Sequence, residues 1–447
     1  MFLSSPELME SLKRLAPFVI RARMVSTGRE KLFQHRNQLA FLFVAEDLSE
    51  NSRQEILRDF PCPIYQGLTA EAFEELFHFH NTKMLGFSRG PLSTQIQQLL
   101  KGRRLVAPSV DSVKMPEHPK VAVLGASGIG KYHANWWQLS GAEVCAFLGS
   151  SEESVQRTEQ SLATLLGRPV KGHVRLERLL QHAHPDIVDI CLPPPLHFRT
   201  ARTALLAGCH VLCEKPFLHD QGLPPAVLRQ QCNELIELAN ARKRLLGMCS
   251  QYIVIAQKCH ELGDFGDQPI TQLECTLLTP IRNHAPGPLS SWLDLGSHLL
   301  AIVQAIGGTR HLRPETLQIE IGPPNQTTVH FTCTDRADTS NPPPALECHL
   351  TVGHLPAESQ LPNQRIFRLN NLAFTANNTQ DSEGHFALAL HRLSDAQAHE
   401  IPDPMRMLIA DFCHGKALIP GRLAAQNLDW LLKIAQGIQT TASKQRF

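Results

Sequence analysis

The sequence predicts an α/β protein in three successive units: a small α/β sandwich, a doubly wound parallel sheet, and an α+β unit whose sheet is mostly antiparallel. Three observations carry that reading. Short apolar runs alternate with helix-period segments before Lys101. A glycine-rich turn, Gly125 to Gly130, then joins an apolar run to a helical pattern. Beyond Ile270, alternating and β-branched runs take over.

With 447 residues and 43% hydrophobic content, the chain can bury a core in each of two or three domains, which excludes disorder on a domain scale. Its 43 Lys and Arg against 42 Asp and Glu leave a net charge of +1, so no global field drives it to nucleic acid or membrane. Twelve single cysteines without a CxxC pair fit reduced, buried thiols, and no metal site is expected. Glu7, Glu10, Lys13 and Arg14 interrupt the start where a signal peptide needs an apolar core, and no later apolar run approaches the roughly 18 residues of a membrane span. A cytoplasmic protein without a membrane partner is therefore expected.

Four domain ranges follow: 1–101, a linker at 102–118, 119–250 and 251–447. The linker reading rests on three prolines and mixed charge between Lys101 and Lys120. Before it, "LAFLFVAEDLS" predicts a buried strand, with Asp47 or Ser49 capping the helix "ENSRQEILRDF". "CPIYQGL" is the next strand, "TAEAFEELFHFHN" a helix opened by Thr69, and "LSTQIQQLLK" a closing helix. Over residues 18 to 101 this unit resembles the L7Ae-type ribosomal protein family, on the "G-x-E-K" helix start and "AEDLSEN". The resemblance implies structured RNA as a partner, met by Gly28, Arg29, Glu30 and Lys31, because a helix N-terminus offers N–H groups to phosphate. Arg29 stands where that family usually has asparagine, and Arg21, Arg23 and Arg36 add positive charge nearby.

After the linker, Val121 to Leu124 is a buried strand, Gly125-Ala-Ser-Gly-Ile-Gly130 a tight turn, "KYHANWWQL" a helix and "AEVCAFLG" a second strand. A βαβ unit of this length around glycines is the dinucleotide fingerprint: Gly125 for the turn, Ser127 or Gly128 for approach to pyrophosphate, Gly130 for close packing, with Ile129 in the same turn. Ser127 replaces the second glycine of the usual pattern. The second strand ends in Gly149, Ser150 and Ser151 without a carboxylate to hold a ribose 2′-hydroxyl, which favours NADP slightly over NAD. A strand from Ile187 to Leu192, a turn at Pro193 to His197, a helix from about Phe198 and a strand from His210 to Cys213 follow, so Glu214-Lys215-Pro216 falls at a strand's carboxyl end.

The glycine turn with "GIGKYHA", the "P-x-x-x-H" of Pro193 to His197, "AGCHVLCEKP" and "PMRMLIADFCHGKALIPG" together resemble the Gfo/Idh/MocA family of NAD(P)-dependent oxidoreductases, from Pro119 onward. The resemblance implies a Rossmann-type domain followed by a substrate-binding α+β domain that often forms oligomer faces, hence a homo-oligomer. It also implies a hydride exchanged with a sugar, polyol or related hydroxy or keto substrate. Pro194 stands where the family usually has asparagine.

Oxidising a carbinol needs a base for the hydroxyl proton and a positive group beside the developing alkoxide. Lys215 is placed for the second role, with Glu214 and Pro216 fixing its backbone and a cis peptide possible before the proline. Asp294 and His298 sit four apart in a helical pattern and share a face. By the resemblance, Lys215, Asp294 and His298 form the catalytic set, and Gly125, Ser127, Gly128, Ile129, Gly130, Ser150, Ser151, Pro193, His197, Glu214 and Lys215 bind cofactor. The rival reading is an RNA-binding or regulatory protein whose oxidoreductase fold serves as a dinucleotide sensor or scaffold. His133 and His210 are expected in packing or around the cofactor, and the "HFH" and "HAH" histidines on the surface.

Overall fold

The computed structural model describes residues 5–60, 62–100, 103, 105, 112–265, 268–280, 287–308, 310–322, 326–335, 344–355, 363–395 and 398–444. The chain separates into two compact units, one of residues 1–109 with Asn240–Lys243, the other of residues 110–239 and 244–447.

The first unit contains α1 (Ser5–Arg21), β1 (Val25–Ser26), α2 (Arg29–Gln34), β2 (Leu39–Val44), α3 (Glu50–Asp59), β3 (Ile64–Gln66), α4 (Ala70–Phe77), β4 (Met84–Ser88) and α5 (Pro91–Leu99). Its sheet runs β1-β4-β2-β3, with β2 and β3 parallel and the other pairs antiparallel. Apolar residues at helical spacing, Leu8, Leu12, Ala16 and Val19, close one face over Phe41, Phe43, Phe73 and Phe87. Leu32, Leu42, Val44 and Ile56 form a second cluster. Helices therefore cover both faces of a strand that is apolar on both sides. Of the two expected caps, the Ser49 hydroxyl accepts from Ser52 N of α3, while Asp47 reaches Ala70 N of α4 at 3.0 Å. Thr69 caps α4 as its position before the apolar run predicts.

The second unit opens with residues expected to be linker. Ser112 pairs with Lys416 and Val113 N donates to Gly415 O, so the end of that segment is structured, while most of residues 102–111 lie outside the described residues. Next come β5 (Lys120–Leu124), α6 (Gly130–Leu139), β6 (Glu143–Leu148), α7 (Glu152–Leu166), β7 (Lys171–His173), α8 (Leu176–Ala183), β8 (Ile187–Ile190), α9 (His197–Leu206), β9 (His210–Cys213), α10 (Pro225–Arg242) and β10 (Leu246–Met248). All six strands are parallel in the order β10-β9-β8-β5-β6-β7. The winding reverses between β5 and β8, which opens a crevice beyond their carboxyl ends.

The chain continues through α11 (Tyr252–Gly263), β11 (Gln272–Pro280), α12 (Pro288–Gly307), β12 (His311–Leu312), β13 (Gln318–Gly322), β14 (Gln326–Thr334), β15 (Leu346–Leu355), β16 (Gln364–Leu369), β17 (Leu372–Gln380), β18 (Phe386–Arg392), β19 (Ala398–Pro402), α13 (Pro404–Cys413) and α14 (Gly421–Lys444). The nine strands form one sheet, antiparallel except for the β11–β15 pair. Part of the loop expected at "DTSNPPPALE" lies outside the described residues.

Two departures from the sequence reading have plain causes. Residues expected in the last domain return to the parallel sheet's domain: Phe412 of α13 packs edge-on to Trp137 of α6 at 6.1 Å, and Pro420 pairs with Gly247 of β10. Pairings so distant along the chain leave no local signal. Helix α12 is long and apolar enough to cross a membrane by length and composition, although Asp294 and His298 interrupt its apolar run. Its apolar window is 61% buried within the protein and includes Trp292, Leu299 and Leu300, the composition of a core helix.

Candidate functional site

Every residue expected to meet a dinucleotide lies at the carboxyl edge of the parallel sheet. Gly125 leaves β5 at φ +89°, and a Cβ there would lie 2.7 Å from Cys191 O; one on Gly130 would lie 2.6 Å from Gly125 O. Only glycine fits either position without moving backbone. Ser127, Gly128 and Ile129 are exposed in the turn before α6. A turn with glycine at its two crowded positions, ending on the N-terminus of a ten-residue helix, suits a pyrophosphate. Gly125→Ala is expected to raise the dinucleotide Kd at least tenfold, measured by fluorescence titration, because the backbone must shift to admit the methyl.

At the end of β6, Ser151 caps α7 by accepting from Ser154 N at 3.1 Å, with Glu152 and Glu153 next in the chain. Beyond β8, Pro193 leads into a short 3-10 turn, Pro194–Leu196. The buried His197 lies with Nε2 2.7 Å from Leu192 O and Nδ1 3.1 Å from Phe217 O, so its ring braces the proline turn against the segment after Lys215. His210 is likewise internal, its Nδ1 accepting from Leu245 N at 2.9 Å, and burial pushes it down to about 4.

Behind this edge lies a sealed polar cluster that sequence spacing does not announce. His133 Nδ1 is 2.8 Å from Asp189 Oδ2, and Trp137 Nε1 donates to the same oxygen at 2.6 Å. His133 Nε2 lies 3.2 Å from Glu214 Oε1, and Glu214 Oε2 accepts from Lys215 N at 3.1 Å. Burial alone would lower the proton affinity of His133, but Cys191 and Asp189 outweigh it and hold it well above the usual range. Burial pushes the Cys191 thiol up to about 12. Burial works against the Glu214 carboxylate, yet His133 and Lys215 hold it below the ordinary value. A buried imidazolium between two carboxylates thus ties the strand end that carries Lys215. His133, Asp189 and Cys249 also present possible metal-ligand atoms within 4.8 Å of one another, though His133 and Asp189 already satisfy each other.

The chain then turns at the cis Lys215–Pro216 peptide. Lys215 Nζ donates to Asp294 Oδ1 at 2.8 Å and to Asp294 O at 2.9 Å, joining the parallel sheet to α12. Burial would raise Asp294, but the Lys215 charge and hydrogen bond hold it low. One turn on, His298 Nδ1 is 3.0 Å from Ser250 Oγ, and its ring lies 4.8 Å from that of Tyr252. Burial, and next the Lys215 ammonium, push His298 down to about 3. Lys215, Asp294 and His298, remote in sequence, therefore share one site: an ammonium, a carboxylate that holds it, and a neutral imidazole. That set can accept a proton from a hydroxyl and stabilise negative charge on its oxygen.

Sequence reasoning missed four members of this shell. His354 Nε2 lies 3.3 Å from Asp294 Oδ2, and its Nδ1 lies 2.8 Å from Ser291 Oγ. Ser250 and Tyr252 flank His298. Only the alternation of β15, which turns His354 to the same side as Leu350 and Val352, hinted at an inward histidine.

The RNA-facing residues expected in the first unit take up their own geometry. Gly28, at φ +90°, precedes α2. Arg29 is ion-paired with Glu55 and lies 5.3 Å above the Phe33 ring, while Glu30 and Lys31 are exposed.

Residues 119–249 match the Gfo/Idh/MocA oxidoreductase family with its NAD-binding Rossmann fold. D-glucoside 3-dehydrogenase of Escherichia coli is 28% identical over 131 residues, 28% of this chain and 33% of that protein. UDP-N-acetylglucosamine 3-dehydrogenase of Acidithiobacillus ferrooxidans is 29% identical over 131 residues, 29% of this chain and 36% of that protein. An uncharacterised oxidoreductase of Schizosaccharomyces pombe reaches 30% over 152 residues, 32% of this chain and 39% of that protein. The chain thus matches 33% to 39% of the length of these curated relatives. Among solved structures, the Acidithiobacillus enzyme superposes with a TM-score of 0.52 at 18% identity, covering 70% of this chain and 96% of that one. An inositol dehydrogenase homologue from Azotobacter vinelandii gives 0.52 at 13%, covering 75% and 98%. At such identities the superpositions speak for the fold alone. The family match thus falls on residues 119–249, the stretch that builds the six-stranded parallel sheet.

Proposed function

We propose that the protein is an NAD(P)-dependent oxidoreductase acting on a sugar, polyol or related hydroxy or keto compound. The observation that carries this reading is the Lys215–Asp294 pair beside a neutral His298, at the carboxyl edge of a sheet whose first turn has glycine at its two crowded positions. Gly125, Gly130 and the N-terminus of α6 would hold the pyrophosphate, with Ser150 and Ser151 near the adenosine ribose. The nicotinamide, when bound, supplies the hydride acceptor or donor. Lys215 holds the substrate oxygen and stabilises its charge, Asp294 aims Lys215, and His298 takes or returns the hydroxyl proton. NADP is preferred over NAD in this reading, supported by the missing carboxylate at the end of β6 and opposed by Glu152 and Glu153 in the first turn of α7.

Absorbance at 340 nm with NADP or NAD and a panel of sugars and polyols tests the proposal. Turnover is the expected result; a chain that binds neither nucleotide would sink it. The pH profile is a second check. A proton acceptor at about 3 stays deprotonated through the working range, so kcat/KM for oxidation should show no acid limb from His298 between about pH 5 and 8. An inflection near 6.5 that vanishes in His298→Asn would contradict this assignment.

The RNA-binding or regulatory reading draws support from exposed Lys31 beside Gly28, and is weakened by the Arg29–Glu55 pair. Titration with a kinked RNA separates the readings, since RNA binding without dinucleotide affinity would favour the second. A cytoplasmic site and a homo-oligomer complete the proposal; twelve free thiols support a reducing compartment.

A further inference from the structure

We propose that the substrate carries an oxyanion, a carboxylate or phosphate, and that Arg365 receives it. This rests on the oxidoreductase reading of the same site and names the class of substrate. Arg365 lies on β16 on the same face as the buried Phe367 and Leu369, the side that packs on α11 and α12. In register it stands beside Leu277 of β11, and the next inward pair along, Thr279 and His354, brings His354 to Asp294. Phe367 meets the Tyr252 ring at 6.2 Å, and Tyr252 in turn meets His298 at 4.8 Å. The Arg365 charge reaches both Tyr252 and His298 and favours the deprotonated form of each.

The partners of Arg365 are neutral. Nη1 donates to Asn378 Oδ1 at 2.6 Å, and Nε is buried with no hydrogen-bond partner. Among the described residues no carboxylate pairs with it. Of the cations nearest it, Lys215 is balanced by Asp294 and Arg368 by Glu274. The two carboxylates nearest the site are already committed, Asp294 to Lys215 and Glu214 to His133. One positive charge is left over at the substrate end.

A partly desolvated guanidinium without a counter-ion is unfavourable, and its planar fork matches carboxylate or phosphate oxygens in a bidentate pair. The substrate that satisfies it is an acid sugar, an aldonate or a sugar phosphate. Anchored there, its carbinol loses a hydride from carbon to nicotinamide C4 and a proton from oxygen to His298, leaving a carbonyl.

The test is calorimetric titration of the full chain, saturated with NADH or NADPH, using gluconate, glucuronate, glucose 6-phosphate, and the neutral glucose and sorbitol. The acids should bind at least tenfold tighter than the neutral compounds, and Arg365→Gln should erase that difference while nucleotide Kd and Tm stay unchanged. The carboxylate and phosphate arms identify the anion. If Arg365→Gln fails to fold, Arg365→Lys, which keeps the charge but not the fork, should weaken acid binding several-fold. Equal binding of acids and neutral sugars, or an acid preference that survives in the folded variant, overturns the proposal. Acid binding without NAD(P)-linked turnover would sink the oxidoreductase reading and leave the anion site. NAD(P)-linked turnover with no preference for acids over neutral sugars in the wild type would do the reverse.

Discussion

Lys215→Ala is expected to lower kcat by about 10²–10³-fold or more, the cost of losing a group aimed at a developing oxyanion. The Nζ that contacts Asp294 at 2.8 Å is the side chain's one strong attachment, and the cis peptide and the Glu214 bond hold only its backbone. Truncation therefore removes the charge without opening the core, and Tm should move little. His298 supplies an internal control, because the Lys215 ammonium is one of the influences holding it at about 3. In Lys215→Ala the imidazole should rise towards 6.5, visible by NMR titration. Unchanged turnover on an identified substrate would end the assignment of Lys215.

The second large effect is on stability. Asp189→Ala should cost about 3–5 kcal/mol, the loss expected when one partner of a buried charge pair is removed, measured by urea denaturation. Asp189 is fully buried and accepts from both Trp137 and His133, so its removal strands two buried donors at once. The pH dependence should change with it. His133 is raised above its unfolded 6.5, so its stabilisation is complete below that value and is lost as pH rises through the folded one. Glu214 is depressed below 4.5, so its contribution is present above 4.5 and is lost as pH falls through its folded value. Wild-type stability should therefore decline on the acid side, first below about 6.5 because the fold keeps His298 and His210 neutral and then below 4.5 through Glu214, and should show an alkaline limb assigned to His133 that flattens in Asp189→Ala. A mutant within about 1 kcal/mol of wild type would show that the cluster carries no net charge energy.

Most of the architecture was legible along the chain because its signals are local. Capping residues marked the starts of α3 and α4, and glycines at fixed intervals marked the turn between β5 and α6. Lys215, Asp294 and His298 were likewise readable, two of them as one turn of a helix and the third as a charge at the end of a buried strand. Boundaries were less secure. The stretch read as linker is partly paired to Gly415, and α13 and Pro420 rejoin the parallel sheet, contacts formed across roughly 170 to 300 residues.

By itself, then, the sequence determined where strands and helices lie, that a dinucleotide turn follows β5, and which charged residues face a strand end. These follow from backbone sterics and from the 2- and 3.6-residue periods that burial imposes. Tertiary structure decided which charges compensate one another. It set His133 between Asp189 and Glu214, brought His354 to Asp294, lowered His298 through burial and the neighbouring Lys215, and left Arg365 with neutral partners. Charge and desolvation act over a few ångströms of space with no regard to sequence separation, so no local pattern encodes their balance.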